Sequence, residues 1–316
     1  MSKENSKSRL HPRNRNKERY DLAELIKVQP ALGRFVVRTK TGSDTIDFSI
    51  PQAVKELNTA ILKHYYDIEY WQFPEGHLCP PIPGRADYLH YVADWLCSEN
   101  NKKTPLGDKI TCFDVGVGAS AIYPIIGISE YDWNFVASDV SIESIRSAEN
   151  IINQNKKLNG KATFKYQQKK KAIFFGMIDD EDHYDITICN PPFHASLEEA
   201  QKGTRRKIRN LSGENRKNPP LNFDGNTNEL IYPGGEYNFI RNMIRESKFK
   251  KDNCLWFSTL VSKKSNLKGV YTLLSRSQAE HVETIEMGTG NKISRIVLWT
   301  YQTKEQRANW IKERWS

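Results

Sequence analysis

The apolar positions of this chain change period several times, and those changes divide it into elements. Leu22, Leu25, Ile26 and Val28 recur at helical spacing and predict a short helix. Thr45–Ile50 alternates as a strand does. Pro51 then opens a longer helix, in a position where its missing N–H costs nothing, with Val54, Leu57, Ile61 and Leu62 on one face. A proline-rich loop from Trp71 to Gly84 ends in Pro80-Pro81-Ile82-Pro83-Gly84-Arg85. A helix from about Ala86 to Cys97 follows, with Leu89, Val92 and Leu96 as its buried stripe. Residues 98–108 are polar and read as a linker. From there the pattern is βα. Ile110–Val115, Phe135–Ser138, a lysine-rich stretch near Thr163–Phe175 and Asp185–Cys189 read as four strands, with a helix at Ile142–Gln154. A helix at Tyr237–Ser247, strands at Cys254–Ser258, Val282–Met287 and Ile293–Thr300, and a terminal helix over 303–316 complete the chain. No internal repeat is present.

The strand ends carry the candidate chemistry. Ile110–Val115 includes Asp114 and runs into Gly116-Val117-Gly118-Ala119-Ser120-Ala121, a glycine-rich turn that lets a ligand approach the backbone at a helix start. The second strand ends in Asp139, a carboxylate placed to accept from both ribose hydroxyls of a nucleoside. Those two features alone suit a nicotinamide cofactor as well as S-adenosylmethionine. The fourth strand stops at Asn190-Pro191-Pro192-Phe193. An exocyclic amine on a purine or an amide is a poor nucleophile, because its lone pair is shared with the neighbouring π-system. To be alkylated it needs acceptors for its hydrogens and a surface for its plane. Asn190 supplies a side-chain oxygen, Pro191 a backbone carbonyl on a segment with two locked φ angles, and Phe193 a ring for stacking. A dehydrogenase gives no reason for that tetrapeptide. An aminomethyltransferase does.

Charge narrows the partner. The 316 residues carry a formal net charge of +9 and 38% apolar residues, and the positive excess is clustered. A polyanionic partner fits. Residues 1–19 hold Lys3, Lys7, Arg9, Arg13, Arg15, Lys17 and Arg19 against Glu4 and Glu18, without apolar periodicity, and read as a basic flexible arm for nucleic acid. A second tract, Lys202, Arg205, Arg206, Lys207, Arg209, Arg216 and Lys217, follows the Asn-Pro-Pro-Phe strand and reads as a long loop (202–228) beside the active mouth. No apolar run approaches the ~18 residues of a membrane span, and no secretory signal opens the chain, so no membrane partner is expected and a cytoplasmic setting is. Five scattered cysteines without a C-x-x-C pair argue against zinc and against a disulfide framework. Cys189, inside an apolar strand, reads as core rather than nucleophile.

Five motifs in this order, Leu10-His11-Pro12-Arg13-Asn14-Arg15, Ile82-Pro83-Gly84-Arg85, Asp114 to Ser120, Asn190 to Phe193 and Gly234-Gly235-Glu236, make the chain resemble the bacterial 23S ribosomal RNA adenine-N6 methyltransferases. These are relatives of the eukaryotic methyltransferase that modifies a spliceosomal small nuclear RNA. The similarity covers nearly the whole chain, with Val117 where some relatives carry Thr and Asp139 where the eukaryotic branch carries Glu. The resemblance implies an α/β, Rossmann-like class I S-adenosylmethionine-dependent methyltransferase with a mostly parallel seven-stranded sheet. It divides the chain into an arm (1–19), a small N-terminal α+β RNA-binding module (20–84), a methyltransferase domain (85–302) and a C-terminal helix. It implies that Arg85, Asp114, Gly116, Gly118, Asp139 and Asn190 bind S-adenosylmethionine and that Asn190, Pro191, Pro192 and Phe193 grip the adenine. Arg13 and Arg15 in the arm and Arg205, Arg206 and Lys207 in the loop are expected on RNA from their clustered charge, as are Lys263 and Lys264, which the resemblance places on a loop near the cofactor. No metal is needed. The expected partner of a monomeric enzyme is 23S rRNA or a large-subunit assembly intermediate. Methylation of another RNA or DNA adenine, or of a protein glutamine amide, is the alternative. An RNA-binding scaffold that has lost catalysis is a further one, and the intact cofactor residues count against it.

Overall fold

The computed structural model describes residues 10–18, 20–39, 41–199, 230–289 and 292–315. The first helix described is α1 (Leu22–Val28), where the Asp21 carboxylate accepts from the N–H groups of Ala23 and Glu24. A hairpin of β1 (Val36–Arg38) and β2 (Asp44–Ile46) follows, then α2 (Pro51–Tyr66). The strand expected over Thr45–Ile50 is shorter than its alternation suggests. The Asp47 carboxylate accepts from the Ser49 N–H and hydroxyl, which turns the chain at once.

Helix α3 runs Ile82–Glu99, four residues longer at its start than the sequence reading. Pro81 caps it and Pro83 sits in the first turn, where no intrahelical donor is required. Arg85 therefore lies within the helix, and the expected domain boundary at 84/85 falls inside its first turn.

Seven strands form the main sheet: β3 (Thr111–Val115), β4 (Asn134–Asp139), β5 (Ala162–Tyr166), β6 (Tyr184–Cys189), β7 (Cys254–Val261), β8 (His281–Thr289) and β9 (Lys292–Thr300). Their order is β5-β4-β3-β6-β7-β9-β8. The first five are mutually parallel, and β9 pairs antiparallel with both β7 and β8. The chain leaves β3 for β4 on one side and returns to β6 on the other, so a crevice opens at the carboxyl ends of β3 and β6.

Helices α4 (Ile122–Tyr131), α5 (Ile142–Gln154), α6 (Gly235–Ser247) and α7 (Leu267–Ser277) cover the sheet, and α8 (Lys304–Arg314) closes the chain. Gly127 lets α4 approach, since a Cβ there would meet the Phe135 ring at 2.3 Å. Alternate residues of β9 enter two clusters. Ile296 and Leu298 join α2 to α5, while Val297 and Trp299 join α6 and α7. The first cluster also holds Leu25, Leu32, Leu57 and Ile61, so the N-terminal module has no core of its own.

The expectation of a flexible arm fails for residues 10–18. His11 and Asn14 are buried, and they address three residues on one face of α3. The Asp87 carboxylate accepts from the His11 N–H (3.0 Å) and the Asn14 amide, and His11 Nε2 lies 2.8 Å from Asp94. The ring of the third, His90, stacks on that of His11 with centroids 5.1 Å apart. A sequence rich in cations and poor in apolar residues shows no periodicity, and these contacts are polar.

Candidate active site

The glycine turn after β3 is held against β4. The N–H groups of Gly116 and Val117 donate to the Ser138 carbonyl at 2.9 and 3.0 Å, and the Gly118 N–H donates to Asp139 Oδ2 at 2.9 Å. Both glycines have positive φ, and a Cβ on Gly116 would project into open space. Helix α4 starts only at Ile122, after the left-handed Ala121. The backbone between is fixed by side chains from elsewhere: Trp71 Nε1 donates to the Ser120 carbonyl and the Ser147 hydroxyl to that of Ala119. Asp139 is aimed by two amides, its Oδ1 accepting from Ser141 N–H at 2.8 Å.

A cavity of ≈ 370 Å³ opens at these strand ends, lined by Gly116, Gly118, Ser138, Asp139 and Gln167 on one side and by Arg85, Tyr123, Asn190, Pro192 and Tyr232 on the other. Asn190 stands directly after β6. Pro191 is buried, and Phe193 is half-buried just outside the lining. The Arg85 guanidinium lies 5.6 Å from the Tyr123 ring centre, and its Nη1 donates to Asn190 Oδ1 at 3.3 Å. Asp114, at the end of β3, is completely buried with neither carboxylate oxygen hydrogen-bonded. Burial, with Asp139 adding to it and Arg85 opposing, holds its carboxyl well above the usual range.

Three sets of contacts that the sequence reading does not specify support this site. Tyr88, one turn after Arg85 on α3, accepts from the Cys189 N–H immediately before Asn190 (3.2 Å). Glu236, buried at the start of α6, accepts from Ser262 N–H and hydroxyl, Lys263 N–H and Asn266 Nδ2. It thereby fixes the loop after β7. His194 forms a parallel bridge with Ile231, which brings the segment after Phe193 against the segment before Gly234. The helical spacing of Arg85 and Tyr88 and the acid in Gly234-Gly235-Glu236 were the available signals.

The profile of a family described as RNA methyltransferase matches residues 4–303. The chain belongs to this family. The "Ribosomal RNA large subunit methyltransferase F" of Cytophaga hutchinsonii is 49% identical over 310 residues, covering 98% of this chain and 96% of its own. The protein of the same name from Photobacterium profundum is 48% identical, with coverage of 98% and 96%. Among solved structures, the human Mettl16 catalytic domain in complex with a MAT2A 3′UTR hairpin superposes with a TM-score of 0.77 at 27% identity, covering 93% of this chain and 96% of that one. The chain is thus a class I methyltransferase in fold and an RNA methyltransferase by family.

Within that frame, the residues expected on the cofactor gather at one cavity: Arg85, Gly116, Gly118, Asp139 and Asn190 line it, with Asp114 buried behind. Of those expected on the base, Asn190 and Pro192 line it while Pro191 and Phe193 lie outside the lining. Of the residues expected on RNA, Arg13, Arg15, Lys263 and Lys264 are described. The Arg13 guanidinium is held by Asp94 (2.6 Å), the His90 carbonyl and Tyr131, and that of Arg15 by Glu130 (2.7 Å) and the Tyr65 carbonyl. Both side chains nevertheless remain about two-fifths exposed, at 41% and 42%. Lys263 and Lys264 are exposed on the loop after β7, and Lys263 Nζ pairs with Glu199 at 2.8 Å. Arg205, Arg206 and Lys207 lie outside the described residues. Cys189 is fully buried, and burial pushes its thiol far up, which makes it inert.

Proposed function

We propose that the protein transfers a methyl group from S-adenosylmethionine to N6 of an adenosine in 23S ribosomal RNA, with the amine held by Asn190 to Phe193. The observation that carries the reading is the shared cavity: Asn190 at the end of β6 faces the same space as the glycine turn after β3 and Asp139 after β4. The names of the bacterial relatives support large-subunit rRNA as the substrate.

The residues present fit the cofactor. The open space at the Gly116 Cβ position lets a ligand reach the backbone, and each Asp139 oxygen, already aimed by an amide, can also accept from a ribose hydroxyl. The two unpartnered oxygens of Asp114 leave a buried acceptor behind the turn. When bound, S-adenosylmethionine supplies a methyl group on a sulfonium sulfur, which would leave as a neutral thioether as the N–C bond forms, one amine proton then passing to solvent. The chain's own part is to hold the amine. Asn190 Oδ1 and the Pro191 carbonyl accept its two hydrogens, which turns its lone pair out of the ring plane and offsets the positive charge that develops on nitrogen. Arg85 at Asn190 Oδ1 occupies one of that oxygen's two lone pairs and leaves the other for the amine. Phe193 gives the base a face to stack on, worth ~1–3 kcal/mol. The adenine must be unpaired or flipped, at a cost of a few kcal/mol. On this reading the enzyme is a cytoplasmic monomer acting on rRNA or on an assembly intermediate.

The test is mass spectrometry of rRNA from a strain lacking the protein, incubated with purified enzyme. Wild type should add N6-methyladenosine at one position, and Asn190→Ala should lower kcat by roughly 10²-fold or more, the scale for loss of a positioned polar group. Methyl transfer to DNA adenine or to a glutamine amide, with rRNA left untouched, would overturn the proposal.

A further inference from the structure

Away from the cavity, two phenylalanine rings stand in solvent together. Phe249 is 69% exposed and Phe175 38%, and their centroids are 5.6 Å apart at 56°. Phe249 is the most exposed large hydrophobic side chain among the described residues. Each ring belongs to a lysine tract. Lys169-Lys170-Lys171 precedes Phe175, and Lys248, Lys250 and Lys251 surround Phe249 in the chain. The fold brings the two tracts to one place by way of a buried carboxylate. Glu246 Oε2, near the end of α6, accepts from the N–H groups of Ile173, Phe174 and Phe175 at 2.9, 2.8 and 3.1 Å. The Phe175 carbonyl accepts in turn from Gln167 Nε2 at 3.0 Å. Gln167, Lys170 and Lys171 also line the active-site cavity. The ring pair is thus joined to the cavity rim through fixed backbone.

Charge identifies the occupant. Lys169, Lys170, Lys171 and Lys251 form no ion pair with a described residue, and the Lys248 ammonium donates only to the neutral Gln278 at 3.1 Å. Lys250 pairs with Asp180 at 3.1 Å, and the neighbouring Asp179 and Asp182 are held by Lys165. A surface with free ammonium groups around exposed aromatic faces suits a single strand of nucleic acid, whose bases stack while its phosphates meet the cations. We infer that Phe175 and Phe249, with the flanking lysines, form a stacking platform for unpaired nucleotides next to the target adenosine. The inference rests on RNA being the substrate.

The experiment follows binding of fluorescein-labelled oligo(A) RNA, and of an in vitro rRNA transcript, by anisotropy across a salt series. The proteins are wild type, Phe249→Ala and Lys251→Ser, each checked by thermal melting. Both side chains are exposed, so all three should melt alike. Phe249→Ala should bind oligo(A) roughly 5- to 150-fold more weakly, the range for one lost base stack, with the salt slope unchanged. Lys251→Ser should bind more weakly with a slope shallower by ~0.7, one phosphate contact on a single strand. Wild-type affinity and slope in both variants, from an enzyme that still methylates rRNA, would overturn the platform alone. So would a Phe249→Ala defect seen only on protein-containing ribosomal particles, which would mark a protein-docking surface instead. A wild type that neither binds nor methylates RNA would overturn the functional reading beneath it.

Discussion

Replacing Tyr88 by Phe isolates a single oxygen on which the placement of Asn190 depends. The Ser258 hydroxyl donates to the Thr187 carbonyl at 2.6 Å, so its oxygen, 2.8 Å from Tyr88, accepts the phenolic hydrogen. The Tyr88 oxygen then accepts from the Cys189 N–H at 3.2 Å. This chain of hydrogen bonds links α3, β6 and β7 where the recorded β6–β7 register ends, at Thr187 opposite Phe257. Phe would keep the edge-to-face contact with Tyr123, at 5.6 Å, and remove only the oxygen. A buried amide donor then has no acceptor, a cost of ~1–3 kcal/mol.

A domain with ~5–15 kcal/mol of stability survives that loss and melts a few degrees lower. The functional effect should be larger than the thermal one. Asn190 follows Cys189 directly, and a displacement of ~1 Å at a reacting group costs on the order of 10²-fold. We expect kcat for rRNA methylation to fall ~10- to 100-fold. Cofactor affinity by calorimetry should change little, since Gly116 and Gly118 lie in the turn after β3 and Asp139 at the end of β4. Ser258→Ala, which leaves the Tyr88–Cys189 bond in place, should be milder. A Tyr88→Phe enzyme that melts lower yet turns over at the wild-type rate would refute a positioning role.

Two further expectations concern buried charge. The His90 imidazole is pushed down to about 3, first by burial and then by the nearby His11 and Arg13, so it is neutral in the fold and protonates more readily when unfolded. Its contribution is complete above the unfolded value near 6.5 and is lost as pH falls toward 3. The stability of wild type minus that of His90→Asn, from melts between pH 7 and 4, should therefore drop by up to ~1.4 kcal/mol per pH unit, and a pH-independent difference would contradict it. Glu236→Gln turns part of a four-fold acceptor into a donor facing donors. It should cost ~1.5–3 kcal/mol and speed hydrogen exchange in the 262–266 loop, with unchanged protection there counting against the assigned role.

What the sequence made legible follows from how each feature is encoded. The βα order, the glycine turn, Asp139 and Asn190 to Phe193 were readable because strand ends are local: a run of β-branched residues stops at Gly, Asp or Pro, and the stop is the site. Helix α3 began earlier than expected because prolines that break a helix interior are at ease in its first turn. Tyr88, Ser258 and Glu236 were hidden for another reason. Their roles are hydrogen bonds between residues 26 to 170 positions apart, and no periodicity in one chain reports a partner that distant. The seven-stranded sheet came from the resemblance, since the antiparallel insertion of β9 between β7 and β8 leaves no local mark.

The N-terminal motif shows the same limit in reverse, because its chemistry was visible and its use was not. A polar, cationic stretch reads as a tether for a polyanion, and His11 to Arg15 also meet protein acceptors: Asp87, Asp94, Glu130 and the backbone carbonyls of Tyr65, Pro83 and His90. Asp87 is buried, and burial raises its carboxyl above the usual range while the Asn14 amide and the His11 N–H pull it back. Such a group is tolerable only while those donors stay in place. Helix α3 is consequently held by the motif through Asp87, His90 and Asp94 and by the end of β6 and Asn190 through Tyr88 and Arg85. The arm and the Asn-Pro-Pro-Phe segment, some 180 residues apart in sequence, meet the same helix. Arg13 and Arg15 each pair with an acid, Asp94 on α3 and Glu130 on α4, yet their side chains stay 41% and 42% exposed, so the motif ties the two helices together while leaving its cations at the surface.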